Sequence, residues 1–198
     1  MTTTGTVISE RVTADGRRWM LRPAQSSDAE ALARLFAAVR SEGRWLVTPP
    51  TAVSHASEAF FIGELINAHS AAVLVADATG AVVGNALVLI DRDVASSHVG
   101  TLSLVVDAGW RDVGIGSALV AAAQAWARER GLVKVALSVF PDNPRAIAVY
   151  QKAGFVREGV RRRQFRVGGT GAYRDEVLMA WFPEGAATDT WRAMGDAP

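Results

Sequence analysis

The segment that most restricts what this chain can fold into is Arg111-Asp112-Val113-Gly114-Ile115-Gly116, set between an apolar strand-like run ending at Val106 and a strong helical pattern. Gly114 and Gly116 let backbone N–H groups turn inward, and the start of the next helix adds partial positive charge, so the turn suits an anion such as a pyrophosphate. Arg111 would add a charged fork. A dinucleotide fingerprint would need glycine where Leu119 stands, and a nucleotide P-loop would need Gly-Lys-Ser/Thr, which is absent. The same glycines would also serve a helix start that binds nothing, and these residues alone leave both readings open.

Around this turn the pattern predicts alternating elements. The helix from Gly114 to Arg130 gathers Leu119, Val120, Ala123, Trp126 and Ala127 on one face and closes on Gly131. Before it come a strand at Arg18 to Arg22 and a helix to about Ser41, opened by the capping-box spacing of Ser27 and Glu30. A loop with Gly43, Trp45, Pro49, Pro50 and His55 leads to a second helix, Glu58 to Ala68. A hairpin follows over Asp77-Ala78-Thr79-Gly80, then a strand from His98 to Val106. After the glycine-start helix come a strand at Val133 to Phe140 and a short helix from Pro144 to Ala153. Two last strands, Val156 to Val167 and Tyr173 to Phe182, flank Gly168-Gly169-Thr170-Gly171. The order is mixed α/β without repeats, with a cleft expected where strands part. Residues 1–17 read as a flexible extension or a loosely held first strand, 18–183 as the domain, and 184–198 as a polar tail.

With 198 residues and 49% hydrophobic content, one compact domain is expected. Twenty-one basic and 20 acidic side chains leave a net charge of +1, so no electrostatic footprint for nucleic acid or an anionic membrane is present. The absence of cysteine excludes a disulfide framework, a thiolate metal site and a cysteine nucleophile. His55, His69 and His98 have no paired-ligand spacing, so no metal is expected. No apolar run approaches the ~20 residues of a membrane span and no signal peptide opens the chain, which points to the cytoplasm.

Read as a longer block, Val105 to Leu119 resembles the acetyl-CoA motif of GNAT acetyltransferases, Arg/Gln-x-x-Gly-x-Gly/Ala after a strand. Asn143 to Phe155 resembles the second block of that family, and the likeness extends over about Trp19 to Phe182. It implies the GNAT fold: a mixed, mostly antiparallel central sheet of about six to seven strands, helices on both faces and a splayed cofactor cleft. It further implies acetyl-CoA as cosubstrate and a homodimer. Carried over by position, the backbone of Leu104, Val105 and Val106 would pair with the pantetheine arm. Arg111, Asp112, Val113, Gly114, Ile115, Gly116 and Ser117 would cradle the pyrophosphate, and Asn143 and Tyr150 would share a helix face towards the cofactor. Asn143 also suits a helix N-cap before Pro144, and the two roles are compatible. Tyr150 also suits the core, but the motif favours a catalytic role.

Without a cysteine or a serine in a nucleophile-elbow pattern, an amine would attack the thioester directly in a ternary complex. A backbone N–H of Leu104 to Val106 would steady the oxyanion, and Tyr150 would donate to the departing sulfur. From reference acidities, full transfer from tyrosine to a thiolate is uphill by about 2 kcal/mol. Several relatives carry a base glutamate five residues before the asparagine, where this chain has Ser138. His98 is the candidate base, against the alternative of an edge-strand surface histidine. Within the family the closest resemblance is to bacterial amino-acid N-acetyltransferases, through Ser97-His98-Val99, Ser138 to Asn143 and Gly171 to Asp175. A free amino acid as acceptor makes Arg44, Trp45, Tyr173 and Asp175 candidate pocket residues, with ordinary packing as the alternative for each. Arg161, Arg162, Arg163 and Arg166 suit either the cofactor's 3′-phosphate or a solvated strand. Acetylation of a protein N-terminus or lysine, and an acyl-CoA sensor without turnover, are the rival functions; the retained Tyr150 speaks against the sensor.

Overall fold

The computed structural model describes residues 9–46, 54–167 and 172–184. The Gly168 to Gly171 turn, residues 47–53 with Pro49 and Pro50, and the ends at 1–8 and 185–198 lie outside the described residues. The elements are β1 (Ser9–Val12), β2 (Arg18–Pro23), α1 (Ala29–Ser41), α2 (His55–Asn67), β3 (Ala71–Ala78), β4 (Ala81–Ile90), β5 (Val99–Val106), α3 (Ile115–Glu129), β6 (Lys134–Val139), α4 (Pro144–Lys152), β7 (Val156–Arg166) and β8 (Tyr173–Trp181). The strands form one sheet in the order β1-β2-β3-β4-β5-β6-β8-β7. No helix among the described residues is long and apolar enough to cross a membrane.

The sheet has one strand more than the six to seven expected. Ser9–Val12 pairs with β2 because Thr13 closes a tight turn: its Oγ1 accepts the Arg17 N–H at 2.9 Å, and Gly16 takes a left-handed φ of 85°. Val12 is 62% exposed, so no apolar pattern marks this strand. The start of α1 also differs from the capping box read at Ser27 and Glu30. The Asp28 carboxylate instead accepts the Gln25 N–H at 2.7 Å and two guanidinium bonds from Arg22, which tie β2 to the helix. The β3–β4 hairpin turns as expected, with Thr79 and Gly80 at φ 52° and 93°.

All neighbouring strands are antiparallel except β5 and β6. These two pair only at Val99 to Thr101 with Lys134 to Ala136. Beyond Thr101 the edge of β5 facing β6 carries no ladder, while β6 continues with β8 as far as Val139↔Val177. The parting of the strands is the cleft.

Alternation along β5 sorts its side chains to two faces. Leu102, Leu104 and Val106 pack on the α3 side, whereas Val105 packs against Leu35 and Val39 of α1. Helices α1 and α2 cover that second face through Leu32, Ala33, Ala59 and Ile62 over Val75. A β carbon at Gly84 would lie 3.0 Å from Ile115 and 3.1 Å from Leu119, so this glycine lets the first turn of α3 settle on β4 beside the end of β5.

Candidate active site

A cleft of about 600 Å³ opens between β5 and β6 and runs from the first turn of α3 to the last turn of α1. On the α3 side it is built from backbone. Gly114, at φ 96°, is the N-cap, and the first helical bond runs from the Ala118 N–H to its carbonyl at 3.1 Å. The N–H groups of Ile115, Gly116 and Ser117 therefore precede the helical ladder and carry the positive end of the helix dipole. A β carbon at Gly114 would meet nothing within 4 Å, and one at Gly116 would come within 3.7 Å of Leu104. Leu104, Val105 and Val106 line the cleft along the unpaired edge of β5, with Asp112, Gly114, Gly116 and Ser117 across its end. Two residues of the expected cradle do not line it: Ile115 is 1% exposed and packs into the core, and Val113 packs against the same cluster.

Arg111 lines the cleft, but its fork is engaged. Its guanidinium holds Glu42 at 2.8 and 2.5 Å, and Nε donates to the Val106 carbonyl at 3.0 Å. Arg111 holds the Glu42 carboxyl below the usual carboxylate range, and the Trp45 indole N–H adds a bond at 2.8 Å. In place of Arg111, Arg145 supplies a half-exposed cation in the lining, 3.3 Å from Asp112.

Asn143 caps α4 as its sequence position suggests, accepting the Ala146 N–H at 3.2 Å, and it also lines the cleft. Tyr150, on the same helix, is 6% exposed, with its ring 5.7 Å from that of Phe155. Burial pushes its hydroxyl up to about 12. Among the described residues only Arg40 Nε is both fully enclosed and unpartnered; the Tyr150 oxygen has no partner and is not fully enclosed, and the residue lines the cleft. A hydroxyl this weakly acidic donates a hydrogen bond more readily than it gives up its proton.

The other half of the cleft faces α1. Phe36, Val39, Trp45 and Leu46 meet Phe140 and Phe165 there, the latter two edge to face at 5.9 Å. The only carboxylate of the described residues in this apolar half is Glu176, 7% exposed. Of the four expected acceptor residues, only Trp45 is placed here. Arg44 lies over the outer side of Trp45 at 4.6 Å. Tyr173 is 50% exposed under Arg166, and the Asp175 carboxylate accepts the Arg163 N–H at 2.7 Å. Strand alternation explains the miss: side chains at even positions of β8 turn towards α1, so the acid in the cleft is one residue further on. Counting parity from Val177 and Met179, both core-facing, would have found it.

His98 is displaced further. It is exposed, precedes β5 at the end opposite the turn, and is not part of the lining, so its side chain does not reach the acceptor half. Arg162, Arg163 and Arg166 are exposed on the edge strand β7 and line nothing in the cleft, as a solvated strand would have it.

The cleft thus brings together N–H groups at a glycine turn, an unpaired strand edge and the buried Tyr150. Residues 36–155 match the acetyltransferase (GNAT) family, and the chain belongs to that family. It is an acetyl-CoA-dependent acyltransferase. Among curated proteins it is 30% identical over 165 residues to the L-amino acid N-acetyltransferase AaaT of Escherichia coli, covering 81% of this chain and 96% of that one. Among solved structures it resembles a ribosomal-protein-alanine N-acetyltransferase from Brucella melitensis, with TM-score 0.74 and 25% identity, covering 82% of this chain and 98% of that one. It shares its fold with a phosphinothricin acetyltransferase from Sinorhizobium meliloti solved in complex with AcCoA, at TM-score 0.74 and 24% identity over 86% of this chain and 91% of that one.

Proposed function

We propose that this protein moves the acetyl group of acetyl-CoA to the primary amine of a small molecule, a free amino acid, by direct attack in a ternary complex. The observation that carries this reading is a single cleft with two unlike halves: a backbone-lined wall suited to the cosubstrate, and an apolar pocket on the α1 face with one acid in it. Both reactants would meet where β5 and β6 part. Similarity to an L-amino acid N-acetyltransferase supports the acceptor class.

In this reading the N–H groups at Gly114 to Ser117 bind pyrophosphate, with Arg145 as the nearby cation, and the open edge of β5 at Leu104 to Val106 pairs with the pantetheine amides. A β5 N–H also steadies charge growing on the carbonyl oxygen. Such donors are fixed by the fold before reaction and require no reorganisation. Tyr150 hydrogen-bonds to the departing sulfur and remains neutral throughout. Asn143 holds the first turn of α4 and so aims Tyr150.

The test is thiol release from acetyl-CoA with amino acids, polyamines, aminoglycosides and N-terminal peptides, comparing the parent with Tyr150→Phe. Turnover with amino acids that falls about 10–100-fold in kcat, with acetyl-CoA affinity retained, is the expected result. Turnover confined to peptides would replace the acceptor class, and acetyl-CoA binding without turnover on any amine would make the protein a sensor.

A further inference from the structure

The apolar half of the cleft contains a charge that the scheme above leaves idle. Glu176 immediately precedes Val177, which pairs with Val139 at the end of the β6–β8 ladder, beyond Ala136 where β6 leaves β5. Its side chain is 9% exposed and turns to the α1 face of the cleft. One carboxylate oxygen accepts from Arg161 Nη1 at 3.1 Å, and that arginine is itself 56% exposed. The other oxygen has no hydrogen-bond partner among the described residues and is not fully enclosed, and the residue lines the cavity. Phe140, Phe165 and Trp45 line the same half of the cleft, so a carboxylate there with one unpaired oxygen favours a second cation beside it. Two cations border this half from outside the lining: Arg174 stacks on Phe140 at 3.6 Å and bonds Asp142 at 2.6 Å, and Arg44 lies over Trp45 at 4.6 Å. The polar side chains that β5 and β6 contribute to the lining are Thr101, Ser103 and Ser138, and none is charged.

We propose that Glu176 is the seat of the acceptor ammonium and the base that takes its proton. This assignment rests on the acetyltransfer reading. The ammonium gives one proton to the free Glu176 oxygen and becomes a neutral amine whose lone pair forms the N–C bond. The C–S bond breaks, the second nitrogen proton ends on the coenzyme A sulfur, and Glu176 releases the first to water through the open cleft. Arg161 acts from the strand beyond, holding the carboxylate in one orientation; it is a positioning residue.

The experiment is a pH–rate series for the parent, Glu176→Gln and Glu176→Asp, with acetyl-CoA affinity measured for each. Glu176→Gln should lower kcat/KM for the amine about 10²–10³-fold at pH 7, and the loss should shrink as pH rises past the acidity of the free amine, which then arrives already deprotonated. Glu176→Asp should recover part of the rate, and acetyl-CoA affinity should stay within about twofold of the parent. No loss, or the same loss at every pH, overturns the base role. Because a core-edge variant can misfold, inhibition of the parent by a quaternary ammonium and its uncharged isostere is compared as well. The cation should compete with the acceptor at least about 10-fold better, and equal inhibition removes the ammonium seat. A parent inactive on all amines would sink the acetyltransfer reading itself, and the base role with it.

Discussion

At the residue scale, two glycines separate strain from space. Gly114 has a left-handed backbone but open surroundings, whereas a β carbon at Gly100 would come within 2.9 Å of both Leu132 and Val88. Gly114→Ala should destabilise the fold by about 1 kcal/mol through backbone strain and also weaken acetyl-CoA binding, since the turn must deform at the cradle. Gly100→Ala should cost about 1–3 kcal/mol through overpacking and leave acetyl-CoA affinity unchanged, because the crowding lies at the paired end of β5. Thermal melts with and without acetyl-CoA distinguish the two: only the Gly114 variant should show a smaller ligand-induced rise in Tm. Equal rises in both would detach Gly114 from the binding site.

At the element scale, the cofactor turn and the end of α1 are joined. Glu42 follows α1 and binds Arg111 of the turn and the Trp45 indole together, so one carboxylate fixes an acceptor wall relative to the cradle. Glu42→Ala removes this joint while leaving the glycine cradle intact. Its KM for the acceptor should rise several-fold more than its KM for acetyl-CoA, because Trp45 loses its anchor while the backbone donors stay in place. Steady-state kinetics in both substrates check this. A larger effect on acetyl-CoA would mean that Arg111 serves the cofactor after all. The sequence offered Arg111 as a free fork because Glu42, just past the end of α1 and far away in the chain, supplies its partner, and no local pattern reveals such a pairing.

Across the whole molecule, Arg22 gathers Asp28 at 2.6 Å and Asp77 at 2.8 Å, joining β2, the start of α1 and β3. Arg22 is the main reason that the Asp28 carboxyl is held below its ordinary value. A carboxyl made more acidic by folding contributes stability in full above its unfolded value, near ~3.9, and loses that contribution as pH falls through the folded value. Asp28→Asn should therefore cost about 2 kcal/mol at pH 7, and the gap to the parent should close below about pH 4. Urea melts across this range test it; a gap constant down to low pH would place the effect in the lost cap to Gln25 instead of the charge.

The sequence by itself determined the order of elements from β2 onward, the glycine turn at the head of α3 and the positions of Asn143 and Tyr150, because each follows from spacing within a short stretch: a period of two in strands, of 3.6 in helices, and a backbone that only glycine takes easily. It also carried the family. What only the tertiary structure decided are facts about pairs distant in the chain. Arg111 is closed by Glu42, Tyr150 is deeply buried, His98 sits outside the cleft, and the acid in its apolar half is Glu176 rather than Asp175. Shifting a strand's phase by one residue exchanges its two faces, and the phase of β8 is set by its register with β6 and β7. The deciding interactions are long-range packing and charge pairing, which no local spacing encodes.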